Sequence, residues 1–205
     1  MRLFAAVLPP PGPVVATLAD EVAALRRLPG AQALRWTDPS GWHFTLAFYG
    51  EVDDGVVPEL SARLARAAGR TPPFALAVRG GGQFGHGRAL WAGAEGDLAV
   101  LRRLAERAEA AGRRAAGAGQ GEHGGHREHG ERGQHRRYRP HVTLARSRGG
   151  VLDVGEYVAA LAGFGGPEWT VLDLALVRSN PPARGVPGAR PRYEVVGRWA
   201  LGGGG

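Results

Sequence analysis

The chain of 205 residues contains no cysteine and no lysine. The lack of cysteine excludes disulfides, thiolate nucleophiles and cysteine-based zinc sites. The sequence also lacks a run of about 18 consecutive apolar residues, which a membrane-spanning helix would need. The short apolar stretch after Met1 ends at Pro9, too early for a secretory signal. We therefore expect a cytoplasmic protein with no membrane partner.

All 26 basic residues are arginine, against 19 acidic residues, and the formal net charge is +7. Guanidinium groups bind phosphate oxygens in a planar, bidentate geometry, so this composition favours a phosphorylated or nucleic-acid partner. A GC-rich coding sequence would also produce abundant arginine, glycine and alanine. Composition alone leaves both explanations open.

The order of the predicted elements indicates an α+β fold. Helical spacing of apolar residues predicts helices over residues 14–28, 56–68, 98–111 and 155–162. Strands are predicted over residues 2–8, 33–36, 42–50, 74–79, 89–94, 141–146, 169–178 and 193–201, with a strand break at the glycines 80–82. Because the helices fall between antiparallel pairs, we expect two pseudo-symmetric lobes of antiparallel sheet with flanking helices around a central cleft.

We expect a single two-lobed domain over residues 1–201. Residues 113–137 are mostly Gly, Ala, Glu, Arg and His, and they offer too little apolar surface to offset the entropy of ordering. We predict a disordered insertion there and a flexible glycine tail over residues 202–205. The net positive insertion would either add electrostatic affinity for a nucleic acid or have no role. Its histidines are interpreted as adventitious ligands for nickel or zinc, not as a metal site: His123, His126, His129 and His135.

The motif His-x-Thr-Leu-Ala occurs twice, at residues 43–47 and 141–145. With the histidines and threonines of this chain, His-x-Thr is expected by chance only about 0.2 times. In a β-strand, residues i and i+2 point to the same side, so each copy places its histidine and threonine on one face. The apolar residues between them anchor the other face in a core. The alternative is two unrelated strands that each carry a hydrogen-bonded histidine.

Two histidines facing one cleft suit an in-line displacement at phosphorus. One imidazole can activate water while the other protonates the leaving oxygen. The hydroxyls of Thr45 and Thr143 can donate hydrogen bonds to the non-bridging phosphate oxygens. This reaction requires no metal and no cofactor, and we expect neither. The sequence does not decide which histidine acts as acid and which as base.

The paired motifs resemble the signature of the two-histidine phosphoesterases. Three stretches are similar to the RNA 2′,3′-cyclic phosphodiesterases, historically called 2′-5′ RNA ligases: Arg-Leu-Phe-Ala-Ala at 2–6, Leu-Arg-Trp at 34–36 leading into 43–52, and Arg-Pro-His-Val-Thr-Leu-Ala-Arg at 139–146. Phe84, Leu90 and Trp91 also stand where this family has an aromatic residue and a strand.

This resemblance implies that His43 is the proton donor to the departing ribose 3′-oxygen and that His141 is the proton acceptor from the attacking water. The implied product is a 2′-phosphate at an RNA end, with Thr45 and Thr143 holding the phosphoryl oxygens. Microscopic reversibility permits 2′-5′ ligation, but water should make hydrolysis dominate. We expect RNA with a 2′,3′-cyclic phosphate end as partner, including tRNA fragments, and a monomeric protein.

Two further residues are candidates for substrate contact. The family often has an arginine at the position of Arg146, but strand parity places it on the face opposite to His141 unless a bulge or the strand end intervenes. A core-edge or surface arginine is the alternative. Tyr49 shares parity with His43 and is a candidate for stacking on a base, with simple packing as the alternative. Phe4, Trp36 and Trp42 are interpreted as structural.

Two competing functions stay open at this point. A related phosphoesterase could act on small cyclic nucleotides or 2′-5′ oligonucleotides. A catalytically silent RNA-binding module would keep the basic cleft without chemistry. Because a pure binder has no need of two histidines, we favour hydrolysis of RNA 2′,3′-cyclic phosphate ends.

Overall fold

The computed structural model describes residues 1–118, 138–180 and 191–203. Its helices are α1 (Pro13–Leu25), α2 (Val57–Gly69), α3 (Leu98–Ala118) and α4 (Gly155–Leu161). Its strands are β1 (Arg2–Val7), β2 (Leu34–Trp36), β3 (Phe44–Glu51), β4 (Phe74–Phe84), β5 (Ala89–Gly96), β6 (Val142–Ser147), β7 (Trp169–Val171), β8 (Asp173–Asn180) and β9 (Arg192–Ala200). No helix in these ranges is long and apolar enough to cross a membrane.

The strands form one antiparallel sheet in the order β7-β4-β5-β6-β3-β1-β8-β9, with β2 paired to the outer part of β6. The two motif strands, β3 and β6, are neighbours at the centre. Each has three further strands on its outer side, so the sheet consists of two related halves. This arrangement confirms the predicted α+β fold with two pseudo-symmetric lobes.

The helices cover one face of the sheet and build the main core. Leu3, Ala5 and Val7 of β1 join this core, whereas Phe4 and Ala6 point to the opposite face. Helix α1 begins with proline, which is favourable at the first helical position because its missing N–H would have no intrahelical partner. Each helix contributes at least one leucine that is almost fully buried, including Leu18, Leu60, Leu64, Leu101, Leu104 and Leu161.

Strand β4 differs from its prediction, because it continues through the three glycines to Phe84. The predicted break at residues 80–82 is therefore wrong. Gly80 has a positive φ of 62°, and the pairing with β5 shifts by one residue between Arg79 and Gly81. A β-bulge thus absorbs the irregularity, and the ladder resumes beyond it.

Two other predicted boundaries also change. Helix α3 runs to Ala118, so a disordered insertion starting at residue 113 is wrong for residues 113–118; Ala115 is 2% exposed and continues the buried face of the helix. Residues 119–137 of the predicted insertion lie outside the described residues. The single strand predicted over 169–178 is two strands, because β7 pairs with β4 whereas β8 pairs with β1 and β9.

Candidate active site

The two motif strands meet at the pair Phe44 and Val142, which are antiparallel partners and fully buried. Extending this register by one residue in each direction places His43 opposite Thr143. The same step places Thr45 opposite His141. Since side chains alternate along a strand, both histidines and both threonines lie on the sheet face away from the helices.

Both imidazoles are oriented by the same local hydrogen bond. Nδ1 of His43 lies 2.8 Å from the carbonyl oxygen of Gly41, and Nδ1 of His141 lies 2.7 Å from that of Arg139. A carbonyl oxygen can only accept, so Nδ1–H is the donor in each case. In the neutral imidazole, Nε2 is then the nitrogen with a free lone pair, ready to exchange a proton with a substrate.

Aromatic rings enclose His43 from the first lobe. The ring of Phe4 lies 4.6 Å from the imidazole, and the ring of Tyr193 meets it edge-on at 5.2 Å. Sequence analysis assigned Phe4 only a structural role and did not single out Tyr193. Tyr193 is distant from both motifs along the chain, and it reaches His43 only through the pairing of β9 with β8.

His141 has an equivalent aromatic environment in the second lobe. The ring of Phe84 meets its imidazole edge-on at 4.9 Å, and Trp91 lies 6.1 Å away. The guanidinium of Arg139 lies over the Trp91 ring at 5.6 Å, as in a cation–π contact. The family resemblance was the one sequence signal for Phe84 and Trp91.

Burial makes both histidines hard to protonate in the free protein. Loss of solvation lowers the pKa of His43 to about 4; the Gly41 carbonyl opposes this shift, and the charges of His141 and Arg146 add to it. Loss of solvation also lowers the pKa of His141. The hydrogen bond to the backbone carbonyl of Arg139 opposes this shift, and the positive charges of Arg146 and Arg139 add to it. Both imidazoles are therefore neutral near pH 7 without a ligand.

Arg146 lies on the same face as the histidines because of a β-bulge in β6. Its neighbours Ala145 and Thr143 pair with Leu90 and Trp91 of β5, which leaves Leu144 as an extra residue. The bulge reverses the parity of the strand, so Arg146 returns to the face of Thr143. The effect of its charge on the pKa of both histidines agrees with this placement.

An equivalent bulge in β3 overturns the placement predicted for Tyr49. Ala47 and Thr45 pair with Ala5 and Ala6 of β1, so Leu46 is the extra residue. Tyr49 therefore lies on the helix side. Its hydroxyl donates to the carbonyl of Ala108 at 3.0 Å, and its ring packs against α3 at Gly112. This position does not fit a base-stacking role, and simple packing accounts for Tyr49.

Phe48 is the β3 residue that the bulge turns to the face of His43. It pairs with Phe4 in the sheet, and the guanidinium of Arg2 lies 5.1 Å from the centre of its ring. Phe48 is 57% exposed, so it offers an apolar surface to solvent on this strand.

Tyr138 connects the segment that precedes His141 to the first motif strand. Its hydroxyl donates to the carbonyl of Thr45 at 3.0 Å, and burial raises its pKa. The hydroxyl thus stays protonated as a donor throughout the physiological range. This contact connects the two lobes and holds the chain segment that leads into His141.

Within residues 1–118, 138–180 and 191–203, no three His, Cys, Asp or Glu side chains come together as metal ligands. The histidines of the predicted insertion, His123 to His135, lie outside these ranges. Their proposed adventitious metal affinity therefore stays a prediction.

Comparisons with known proteins identify relatives over most of the chain. The family model described as LigT like Phosphoesterase matches residues 8–91. An RNA 2′,3′-cyclic phosphodiesterase of Thermus thermophilus is 32% identical over 204 residues, which cover 98% of this chain and 90% of that protein. A protein of the same name from Geobacillus stearothermophilus is 25% identical over 169 residues, 81% of this chain, but this chain spans 47% of its length.

The fold is also similar to that of solved structures. A crystal structure of a Thermus thermophilus protein has a TM-score of 0.69 at 28% identity and covers 99% of both chains. The sheet and its paired His-x-Thr strands are those of a two-histidine phosphoesterase. More narrowly, the chain belongs to the LigT-like phosphoesterase family, which confirms the resemblance seen in the motifs.

Proposed function

We propose that the protein hydrolyses 2′,3′-cyclic phosphates at RNA ends to 2′-phosphomonoesters. The observation that carries this proposal is the symmetric pair of imidazoles on one sheet face, each with Nδ1 bonded to a backbone carbonyl. The names of the Thermus and Geobacillus relatives, both RNA 2′,3′-cyclic phosphodiesterases, support the substrate.

In the proposed reaction, water attacks the cyclic phosphorus opposite the ribose 3′-oxygen. His141 accepts the proton of the water at Nε2 as the new P–O bond forms. His43 donates a proton from Nε2 to the 3′-oxygen as the P–O3′ bond breaks. The product carries a 2′-phosphate and a free 3′-hydroxyl, and the two histidines exchange protonation states in each turnover.

The substrate itself assists the protonation of His43. Its phosphodiester carries a negative charge, and an adjacent anion raises the pKa of an imidazole. The charge thus opposes the burial that lowers the pKa of His43 to about 4 in the free protein. Thr45, Thr143 and Arg146 supply donors for the non-bridging oxygens, on which charge builds up in the transition state.

The first test uses a short RNA that ends in a 2′,3′-cyclic phosphate, incubated with the protein in EDTA. We expect the 2′-phosphate as product, loss of turnover in His43→Ala and His141→Ala, and unchanged turnover in His86→Ala on the exposed β4–β5 turn. RNA binding should persist in both active-site variants. Formation of the 3′-phosphate, or no product with the wild type, would contradict the proposal.

A second test assigns the acid and the base. A substrate with sulfur in place of the 3′-oxygen has a leaving group that needs little protonation. It should restore activity to His43→Ala but not to His141→Ala. Restoration in His141→Ala alone would reverse the two roles and leave the reaction itself unchanged.

A further inference from the structure

A cavity of about 560 Å³ opens beside the histidine pair and does not include either imidazole. Its lining residues include three arginines and a tyrosine: Arg35, Arg146, Arg192 and Tyr193. Asp38 is the single carboxylate among its lining residues, so positive charge is in excess. A volume of this size lies in the range of small-ligand sites.

Two of these arginines are direct cross-strand partners. Arg35 of β2 and Arg146 of β6 are antiparallel register partners, and both are exposed on the cavity side. Like charges directly opposite each other destabilise a strand pair. Within the described part of the chain, the recorded ion pairs include none of Arg35, Arg146 or Arg192. With three arginines and one aspartate in its lining, this wall keeps an excess of positive charge that an anion from outside the protein can balance.

The cavity also adjoins the proposed reaction centre through two residues. Arg146 lines the cavity, and its charge lowers the pKa of both histidines. Tyr193 lines the cavity, and its ring meets that of His43 at 5.2 Å. A substrate whose cyclic phosphate lies between the histidines would therefore extend its next charged group toward Arg35 and Arg192.

We propose that this cavity binds the phosphate on the 5′-oxygen of the terminal nucleotide. This inference rests on the proposed function. In a nucleotide with a 2′,3′-cyclic phosphate, both the 2′- and 3′-oxygens belong to the ring, so the 5′-oxygen is its connection to the rest of the RNA. The first anion beyond the reacting group is consequently the 5′-phosphate. The guanidinium groups of Arg35 and Arg192 have the chemistry to bind it.

The test compares a nucleoside 2′,3′-cyclic phosphate with the same molecule carrying a 5′-phosphate. For the wild type, kcat/KM should be about tenfold or more higher with the 5′-phosphate, the gain typical of a charge-assisted hydrogen bond. Arg35→Gln and Arg192→Gln should lose several-fold more kcat/KM on the 5′-phosphorylated substrate than on the other. Arg102→Gln, on the exposed side of α3, removes the same charge and should keep the wild-type ratio. Added salt should reduce the ratio of kcat/KM between the 5′-phosphorylated substrate and the other, because it screens the arginine charges.

Several outcomes would contradict the proposed 5′-phosphate site. Equal kcat/KM for the two substrates, or equal losses on both in the arginine variants, would show that the 5′-phosphate is not bound there. A gain that needs a full dinucleotide and not the 5′-phosphate alone would also overturn it. In contrast, failure of the wild type on both substrates and on longer RNA would refute the proposed function itself.

Discussion

Phe44 and Val142 are direct cross-strand partners, and the pseudo-two-fold relation between the lobes passes through this pair. Both side chains are fully buried on the helix side. Their neighbours on the opposite face are the two histidines and two threonines of the site. The packing of this pair therefore supports the part of the sheet that carries both imidazoles.

Replacing Phe44 by alanine should destabilise the protein by about 3–5 kcal/mol, because it leaves a cavity where the lobes join. Chemical denaturation measures this loss. Phe48→Ala on the same strand is the matched control: its side chain is 57% exposed, so the loss should be much smaller. Similar losses in the two variants would show that the Phe44 contact does not hold the lobes together.

The pH dependence of kcat/KM should reflect two histidines with lowered pKa. The reaction needs one protonated and one neutral imidazole, and kcat/KM reports on the free enzyme. His43 has a pKa of about 4 and that of His141 is also lowered, so the protonated form disappears as pH rises. We expect kcat/KM to fall about tenfold per unit above pH 7. A flat or rising profile from pH 7 to 8.5 would contradict the assignment.

Arg146 should affect the position of this profile as well as its height. Its charge lowers the pKa of both histidines, so Arg146→Gln should move the alkaline fall of kcat/KM to higher pH. The maximum should also decrease, because the variant loses a donor to the phosphoryl oxygens. Arg102→Gln should retain both the wild-type position and height. If the maximum of kcat/KM decreases but the alkaline fall stays at the same pH, Arg146 acts only by binding the substrate.

The motif strands were predictable because alternation and the repeated His-x-Thr are local features. The bulges at Leu46 and Leu144 were not, since an extra residue in one strand is defined only by the register of its partner. The same kind of bulge explains two opposite outcomes. It brings Arg146 to the site and takes Tyr49 away from it.

Longer-range contacts explain the other differences from the sequence predictions. Glycines usually interrupt a strand, but in β4 Gly82 makes room for the indole of Trp91 and Gly81 for the side chain of Leu161. Tyr193 reaches His43 because β9 is the edge strand beside β8, and neither motif contains that information. The sequence thus predicted the reacting groups better than the aromatic rings that enclose them.

Gly82→Ala should impair catalysis through Trp91. A Cβ at Gly82 would collide with Cζ2 of the indole, so the ring must move, and that ring packs on Phe84 and His141. We expect a lower kcat and a stability loss of about 1–3 kcal/mol from overpacking. Gly55→Ala, where a Cβ would meet no atom within 4 Å, is the control and should change neither. Wild-type kcat in Gly82→Ala would show that the Trp91 contact is dispensable.

Tyr138→Phe tests whether the hydroxyl bond to Thr45 positions His141. The variant loses one partly buried hydrogen bond, which should cost about 1 kcal/mol of stability. Because the bond ties the segment before His141 to the first motif strand, kcat should fall more than KM changes. Both quantities come from denaturation and steady-state kinetics on the same samples.

Tyr157→Phe provides the matched control for Tyr138→Phe. Its hydroxyl donates to the carbonyl of Pro29 at 2.6 Å, a bond of the same chemistry that involves neither motif. It should lose similar stability and keep the wild-type kcat. Equal loss of kcat in both variants would mean that general destabilisation lowers activity. A reduced kcat in Tyr138→Phe alone would identify Tyr138 as a positioning residue. Unlike the hydroxyl of Tyr157, its hydroxyl connects the segment just before His141 to the strand that follows His43.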